Sequence, residues 1–270
     1  MTSLGLLAPL IPSAPADDLV SIRAAVADGL VDAVWVRDLP VVPIDDPDIG
    51  QFDDPFAYLA RLAPARTVGT ASVILGVRHP LVVARAAAAA QAVSGGRFVL
   101  GVGSGGKPAM NDALGVTDRS PDRFAERWNA LRDAVCGRLA PGVTLPGAGQ
   151  PPPMYLASAR SSHWSAIGGD ADGWLAFLEP WATFDRSVAA ITQARSGNPP
   201  PIAVRIDLTL ADGPPSLGER GRLRCRPSDL TAVFRRLQAY PVEHVLIRLT
   251  STDPCRDLTE VRGRWETRET

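Results

Sequence analysis

The stretch RHPLVVARAAAAAQAVSGGRFVLGVGSGG, residues 78–106, carries the clearest signals for the fold. Pro80 suits the first turn of a helix, where no backbone N–H is needed, and the alanines that follow have high helix propensity. Ser94-Gly95-Gly96 ends the predicted helix, and Arg97–Leu100 begins an apolar strand. That strand exits through Gly101–Gly106, where the backbone can approach a ligand closely. The stretch predicts a helix–strand unit of the kind from which α/β enzymes build cofactor sites.

Strand and helix signals alternate eight times along the 270 residues. The predicted strands are Ser3–Leu10, Ala33–Val36, Thr67–Leu75, the strand from Arg97, Met154–Ala157, Gly173–Phe177, Ile202–Leu210 and His244–Leu249. The predicted helices are Asp17–Gly29, Pro55–Leu62, the alanine-rich helix, Asp122–Arg138, one from about Ser161, Thr183–Ala194, Ser228–Tyr240 and Arg256–Glu266. Continuous apolar strands are typical of a parallel sheet buried on both faces. With no composition break, they predict a single α/β domain over residues 1–270, a (β/α)8 TIM barrel.

Composition narrows the functional classes. The formal net charge of −1 does not indicate nucleic acid or a membrane surface as a partner. No apolar run approaches the roughly 20 residues of a membrane helix, and the first residues lack the basic segment of a signal peptide. Three scattered cysteines indicate reduced thiols in a cytoplasmic protein. Three histidines without CxxC or HExxH spacing form no zinc ligand set, so no metal is predicted.

In a barrel of this kind the active site lies at the carboxyl ends of the strands, so the residues that follow the predicted strands are the candidates. These are Arg37, Asp38, Ala71, Ser72, Arg78, His79, Gly103, Ser104, Lys107, Ser158, Ala159, Arg160, Ser161, Ser162, Glu179, Arg248 and Thr250–Thr252. Asp38 beside Arg37 either faces the mouth or makes an ordinary ion pair. His79 is either an acid–base group or a structural imidazole that satisfies backbone groups.

The segment Ser158–Ser162 is the best candidate for a phosphate site. Its hydroxyls, its arginine and the free N–H groups at a helix start together form an anion pocket. The alternative is that one serine is an ordinary helix N-cap and that the others are solvated. The basic run Gly221–Arg226 likewise either reaches a phosphate or forms a solvated edge.

Gly101-x-Gly103-x-x-Gly106 matches the dinucleotide pattern GxGxxG literally, but its context differs from that of a Rossmann fold. The Rossmann fingerprint requires the first βα unit of the domain and an acid at the end of the next strand. Here the pattern follows the fourth predicted strand, and the acid at the required distance, Asp122, begins a helix. The glycines therefore indicate close backbone approach and no Rossmann site.

The opening stretch resembles the signature of the bacterial-luciferase-like flavin oxidoreductases. Further blocks are similar to this family in the same order: AVWVRDLP (33–40), DIGQFDDPFAYLA (48–60), TVGTASVIL (67–75), YLASARSSHWSAIGGDADGWLAF (155–177) and FRRLQAYPVEHVLIRL (234–249). The resemblance covers most of the chain. It implies a luciferase-like TIM barrel that binds FMN, or in some branches the deazaflavin F420, at the carboxyl ends of the strands.

The resemblance also assigns residues. It implies a non-proline cis peptide at Ala71-Ser72, or at Ser72-Val73, against the flavin ring. Gly103 and Ser104 would lie beside the ring or the phosphate. Ser158, Ala159, Arg160, Ser161 and Ser162 would form the phosphate loop. Asp38 and His79, with Arg78, would be the catalytic polar contacts near the ring.

The function implied is that of a flavin-dependent oxidoreductase or monooxygenase, which uses reduced FMN and O2 on a small organic substrate. A separate flavin reductase and a second copy of the chain, in a homodimer, are the expected partners. One alternative is F420-dependent hydride transfer on the same barrel. Another is a trimmed, non-catalytic flavin-binding relative, because Gly106-Lys107 stands where the family tends to carry Asp-Arg and the connector Cys136–Pro153 is short.

Overall fold

A computed structural model describes residues 2–10, 15–41, 54–62, 66–105, 108–118, 120–145, 149–251 and 253–269. Its strands are β1 (Ser3–Leu7), β2 (Ala33–Val36), β3 (Thr67–Thr70), β4 (Val73–Ile74), β5 (Phe98–Gly103), β6 (Met154–Leu156), β7 (Gly173–Phe177), β8 (Ile202–Leu210), β9 (Ser216–Leu217), β10 (Arg222–Cys225) and β11 (Val242–Leu249). Its α-helices are α1 (Pro15–Ala27), α2 (Pro55–Ala60), α3 (Pro80–Val93), α4 (Pro108–Ala113), α5 (Pro121–Val135), α6 (Ser161–Ala166), α7 (Trp181–Ala194), α8 (Pro227–Leu237) and α9 (Pro254–Glu266).

Eight parallel strands close into a barrel. Their order is β1, β2, β3, β5, β6, β7, β8 and β11, and β11 pairs with both β8 and β1. Helices follow the strands, as in a (β/α)8 barrel. The predicted fold class, a (β/α)8 TIM barrel of the α/β type, is confirmed.

The opening stretch folds as predicted into α3 and β5. Helix α3 buries one stripe that includes Val83, Ala84 and Ala87, and it packs on α5. The small alanine side chains let the helix lie close to its neighbours. Gln91, buried at the end of the helix, accepts the N–H of Phe98 at 3.0 Å and so fixes the start of the strand.

The barrel interior is filled by large side chains that face glycines. Trp35 and Tyr155 lie inside it with ring centroids 6.4 Å apart. Gly69 faces Trp35, because a Cβ built there would lie 2.7 Å from the indole. Gly173 faces the ring of Tyr155 in the same way. These glycines give the two rings the space that a close-packed interior requires.

Three local features differ from the predictions. The predicted strand Thr67–Leu75 is two strands, because the cis peptide Ala71-Ser72 interrupts it and β4 pairs only with β5. Helix α4 was not predicted. The run Gly221–Arg226 contains β10, which pairs parallel with β8 and antiparallel with β9.

Several predicted features lie outside the described residues. They are Asp48–Asp53 of the block DIGQFDDPFAYLA, Gly106, Lys107 and Thr252.

Gly101→Ala tests the packing of the interior. A Cβ at Gly101 would overlap the carbonyl oxygen of Thr70, which belongs to the neighbouring backbone and cannot move aside. We expect the substitution to lower the free energy of unfolding by about 1–3 kcal/mol or more. Gly263→Ala is the matched control, since Gly263 is exposed in α9 with no atom near its Cβ position. It should raise stability by up to about 1 kcal/mol. Urea unfolding measures both, and equal effects would contradict this packing.

Candidate active site at the barrel mouth

A cavity of about 1140 Å³ opens at the carboxyl ends of the barrel strands. The structure brings seven of the predicted site residues to its wall: Asp38, Ala71, Ser72, Gly103, Ser104, Ser158 and Ala159. Arg37, Glu179, Arg248 and Thr250, from the wider set of candidates, line it as well. His79, Arg160, Ser161 and Ser162 are not among the lining residues.

One part of the wall is made of small residues: Ala71, Ser72, Gly103, Ser104 and Ala157. The peptide bond Ala71-Ser72 is cis, as the resemblance predicted. A Cβ at Gly103 would lie 2.6 Å from Ser72 Oγ and 3.5 Å from the Cβ of Ala157. Glycine at position 103 therefore lets Ser72 approach the end of β5 closely, and the side chains at this part of the wall are all small.

Asp38 is anchored in the segment that follows the cis peptide. Its buried carboxylate accepts the N–H of Ile74 at 3.0 Å and two bonds from Arg78, at 2.7 Å and 2.8 Å. Arg78 also bonds Asp54, the N-cap of α2, at 2.8 Å. The hydrogen bonds that Arg78 donates to Asp38 raise the pKa of the Arg78 guanidinium above its ordinary value, so Arg78 stays charged. These contacts give Asp38 a positioning role.

Arg127 of α5 holds the same segment from the other side. Its guanidinium donates to the carbonyl of Leu75 at 2.7 Å and to that of Arg78 at 2.5 Å. His79 lies just beyond, exposed, as the N-cap of α3. Its Nδ1 accepts the N–H of Leu81 at 3.2 Å. Of the two interpretations of His79, the geometry matches the structural imidazole.

Ser158 is held at the cavity wall by its own turn. Its Oγ accepts the N–H of Arg160 at 3.1 Å and lies 2.9 Å from Nδ1 of His163. Trp164 Nε1 donates to the Ser158 carbonyl at 2.8 Å. His163 is buried and stacks on Phe124, with centroids 5.1 Å apart. Burial, with a smaller contribution from the charge of Arg160, lowers the pKa of His163, so its imidazole is neutral at pH 7.

The rest of the predicted phosphate loop lies at the start of α6. Arg160 is the N-cap, and its side chain makes no capping hydrogen bond. The alternative in which a serine caps this helix is therefore wrong. The side chains of Arg160, Ser161 and Ser162 are exposed, next to the edge of the cavity that Ser158 and Ala159 line.

A cluster of charged residues, Arg205, Asp207 and Arg248, lies at the cavity wall and was not predicted from the sequence. Arg205 donates a bidentate pair of hydrogen bonds to the Asp207 carboxylate, at 2.8 Å and 3.0 Å. Arg248 donates a third to the same carboxylate at 2.5 Å. Arg205 also lies over the ring of Phe177, 4.9 Å from its centroid. A signal existed, since Arg205 and Asp207 stand two apart in an otherwise apolar strand and therefore share one face.

Fold and cavity together define a (β/α)8 barrel with a large site at its mouth. The model of the luciferase-like monooxygenase family matches residues 50–217. The chain belongs to this family. No curated protein matches its sequence.

Solved structures share the fold at low sequence identity. The monooxygenase RslO1 from Streptomyces bottropensis is 16% identical over 100% of both chains, with a TM-score of 0.78. The coenzyme F420-dependent tetrahydromethanopterin reductase from Methanopyrus kandleri is 14% identical over 97% of this chain and 98% of that one, with a TM-score of 0.73. The oxygenating constituent of 3,6-diketocamphane monooxygenase from the CAM plasmid of Pseudomonas putida, in complex with FMN, is 16% identical over 78% and 68%, with a TM-score of 0.59.

The described residues show neither a membrane-spanning helix nor a metal-binding cluster. They contain no helix that is both long enough and apolar enough to cross a bilayer. Within the same residues, no group of three or more His, Cys, Asp or Glu side chains is arranged to hold a metal ion.

Asp38→Ala tests the anchor of the segment after the cis peptide. The substitution leaves Arg78 without its main partner and Ile74 with an unsatisfied N–H, so we expect a loss of about 3 kcal/mol in the free energy of unfolding. Asp133→Ala removes the partner of Arg138 in an exposed ion pair and should cost less than about 1 kcal/mol. Denaturant unfolding separates the two, and a loss at Asp38 no larger than at Asp133 would contradict the anchor.

His163→Gln tests the buried imidazole. A folded-state pKa below the unfolded value means that the unfolded chain takes up the proton first as the pH falls below about 6.5. The contribution of His163 to stability is therefore complete above that pH and is lost toward acid. Gln keeps a hydrogen-bonding side chain and cannot titrate. We expect the difference in unfolding free energy between about pH 7.5 and 5.5 to shrink in the variant.

Burial also lowers the pKa of His244, which therefore contributes equally to the pH dependence of stability in the wild type and in His163→Gln. An unchanged pH dependence in His163→Gln would show that His163 does not have the depressed pKa.

Proposed function

We propose that the chain is a flavin-dependent oxidoreductase of the monooxygenase type, which holds FMN in the mouth cavity and acts with O2 on a small organic substrate. The observation that carries the proposal is the cavity of about 1140 Å³ at the strand ends of a luciferase-like barrel. Its volume exceeds the roughly 300–1,000 Å³ of typical small-molecule sites, so it has room for a cofactor and a substrate together.

The residues at the wall fit a flavin. Ala71, Ser72, Gly103 and Ser104 line the cavity with small side chains, which suit a flat aromatic ring. Ser158 and Ala159, with Arg160, Ser161 and Ser162 at the start of α6, offer hydroxyls, a cation and backbone N–H groups, which suit a phosphate. In the proposal these two sets hold the ring and the phosphate respectively.

Reduced flavin supplies, when bound, the electrons with which O2 is activated. The contribution of the chain is to bind, orient and exclude water. Asp38, Arg78 and Arg127 fix the segment from Ala71 to His79, and this segment sets the position of the wall on which the ring would lie. In this proposal Asp38 and His79 position the segment, and neither transfers a proton.

The proposal extends to the setting in which the protein works. The electrons come from a separate flavin reductase, the chain acts as one barrel domain in a homodimer, and the location is the cytoplasm. The homodimer follows the family resemblance, and the reductase follows from a chain read as one barrel domain without a domain of its own for NAD(P)H. The cytoplasmic location follows from the three scattered cysteines.

A second candidate function is F420-dependent hydride transfer on the same barrel. The charge of the cavity favours it, because six arginines and three carboxylates line the wall. The arginines are Arg37, Arg205, Arg220, Arg222, Arg224 and Arg248, and the acids are Asp38, Glu179 and Asp207. The long anionic tail of F420 needs a basic pocket of this kind.

Titration of the full chain with FMN and with F420, followed by quenching of cofactor fluorescence, tests the choice. The proposal predicts saturable binding of FMN and binding of F420 at least about tenfold weaker. It also predicts that a supplied flavin reductase and NADH give substrate-dependent O2 consumption. The reverse order of affinities would favour hydride transfer. Binding of neither cofactor would contradict both functions, and flavin binding without turnover of any substrate would favour a non-catalytic relative.

Ser158→Ala tests the phosphate end. Loss of a hydrogen bond to a charged group should weaken FMN binding about tenfold. Riboflavin, which lacks the phosphate, should lose less than about twofold, since its binding does not use that bond. Ser165→Ala is the matched control, because Ser165 is exposed on the same helix and does not line the cavity. Equal losses for FMN and riboflavin would place the phosphate elsewhere.

A further inference from the structure

One side of the mouth cavity is a wall of three arginines: Arg220, Arg222 and Arg224, called here the arginine wall. Arg222 and Arg224 alternate on β10 with the buried residues Leu223 and Cys225, so both cations project from the same face. Arg220 precedes the strand, and all three line the cavity with exposed side chains. The strand lies beside β8, with Arg222 in register with Asp207 and Arg224 with Thr209.

The arginine wall has no counter-ion among the described residues. Asp207 is the nearest buried acid in register, and its two oxygens already bind Arg205 and Arg248. Glu179, the other acid on this side, accepts the backbone N–H of Arg220 at 3.4 Å and makes no ion pair with the three guanidiniums. By contrast Arg226, at the end of the same strand and outside the cavity lining, is paired with Asp229 at 3.2 Å.

The backbone at the start of the wall is in an uncommon conformation. Arg220 has φ 55° and ψ 36°, in the left-handed region that favours glycine or asparagine. An arginine is held there, at a position lining a cavity, where a smaller residue would fit the turn at lower cost. Conformations of this kind cluster at ligand-binding sites, where the surrounding structure enforces them.

The arginine wall is separate from the residues proposed to hold the flavin phosphate. Ser158 follows β6, and β7 and β8 lie between β6 and β10 in the sheet. Three strand spacings of about 4.8 Å put the two sides roughly 14 Å apart along the sheet. One phosphate therefore does not occupy both sides of the cavity.

We propose that the arginine wall binds the anionic group of the organic substrate, so that the enzyme acts on an acid such as a carboxylate. The inference rests on the proposed function, since it takes the flavin to occupy the side of Gly103 and Ser158. Guanidinium groups recognise carboxylate and phosphate through paired N–H donors, and a cavity wall strengthens this attraction relative to open water. The other source of the same chemistry is the anionic tail of a cofactor.

The test uses two probes with the same ring and different charge, naphthalene-1-carboxylate and naphthalene-1-methanol. Calorimetry measures their binding to the full chain, with and without saturating FMN. We expect the carboxylate to bind at least about tenfold more tightly than the alcohol in the wild type. This preference should fall below about twofold in the double variant Arg222→Gln/Arg224→Gln. It should also shrink when the ionic strength rises from about 20 to 200 mM, because salt screens exposed charges.

The matched control is Arg123→Gln/Arg138→Gln. It removes the same net charge from two exposed arginines outside the cavity, each paired with an acid of its own helix region. The control should keep the wild-type preference, and a thermal melt of each variant verifies folding. A wild type without preference, or a preference that survives in Arg222→Gln/Arg224→Gln, would overturn the inference.

A cofactor arm separates the two sources of the anion. FMN and F420 are titrated into the same variants. Unchanged FMN affinity, with loss of the carboxylate preference, is the expected result. A drop in F420 affinity of about tenfold with the carboxylate preference intact would assign the arginine wall to the cofactor tail and overturn the substrate assignment. Charge preference without binding of either cofactor would overturn the proposed function alone, whereas flavin binding without charge preference would overturn this inference alone.

Discussion

The ion pair between Asp38 and Arg78 is the contact on which the candidate site depends. Residues between Ala71 and His79 form only a two-residue strand, so most of their backbone groups lack partners in the sheet. Asp38 supplies a partner to Ile74, Arg127 supplies two to the carbonyls of Leu75 and Arg78, and Arg78 ties the segment to α2 through Asp54. The wall of the cavity is therefore positioned by charged hydrogen bonds from three separate elements, in place of a regular ladder.

The packing below the site fixes where the cavity begins. Trp35 and Tyr155 fill the barrel interior because glycines on adjacent strands make room for their rings. Toward the carboxyl ends the side chains become small, as at Ala71, Gly103 and Ala157. The change from large to small residues along the strands turns a packed core into an open mouth. The same architecture separates stability at the bottom of the barrel from chemistry at the top.

Much of this could be predicted from the sequence, because apolar strands and helix boundaries are local signals. Helix propensity and the boundary residues Pro80 and Ser94–Gly96 were enough to predict α3 and β5. The ion pair of Asp38 with Arg78 joins residues 40 positions apart, and nothing in their spacing indicates it. The role of Arg127 is likewise invisible in sequence, since it reaches carbonyl groups about 50 residues away. Strand β10 was not predicted, because the alternation of its arginines with Leu223 and Cys225 covers only four residues.

In the proposed function, the mouth cavity holds a flavin between the end of β5 and the turn after β6. Hydrogen–deuterium exchange of the full chain, with and without saturating FMN, tests it most directly, because bound ligand slows exchange of the backbone N–H groups that it contacts. We expect FMN to slow exchange in peptides covering residues 71–79, 101–105 and 157–163 and to leave the exposed groove of α9, around Thr259 and Gly263, unchanged. Protection confined to α9, or none at saturating FMN, would contradict it.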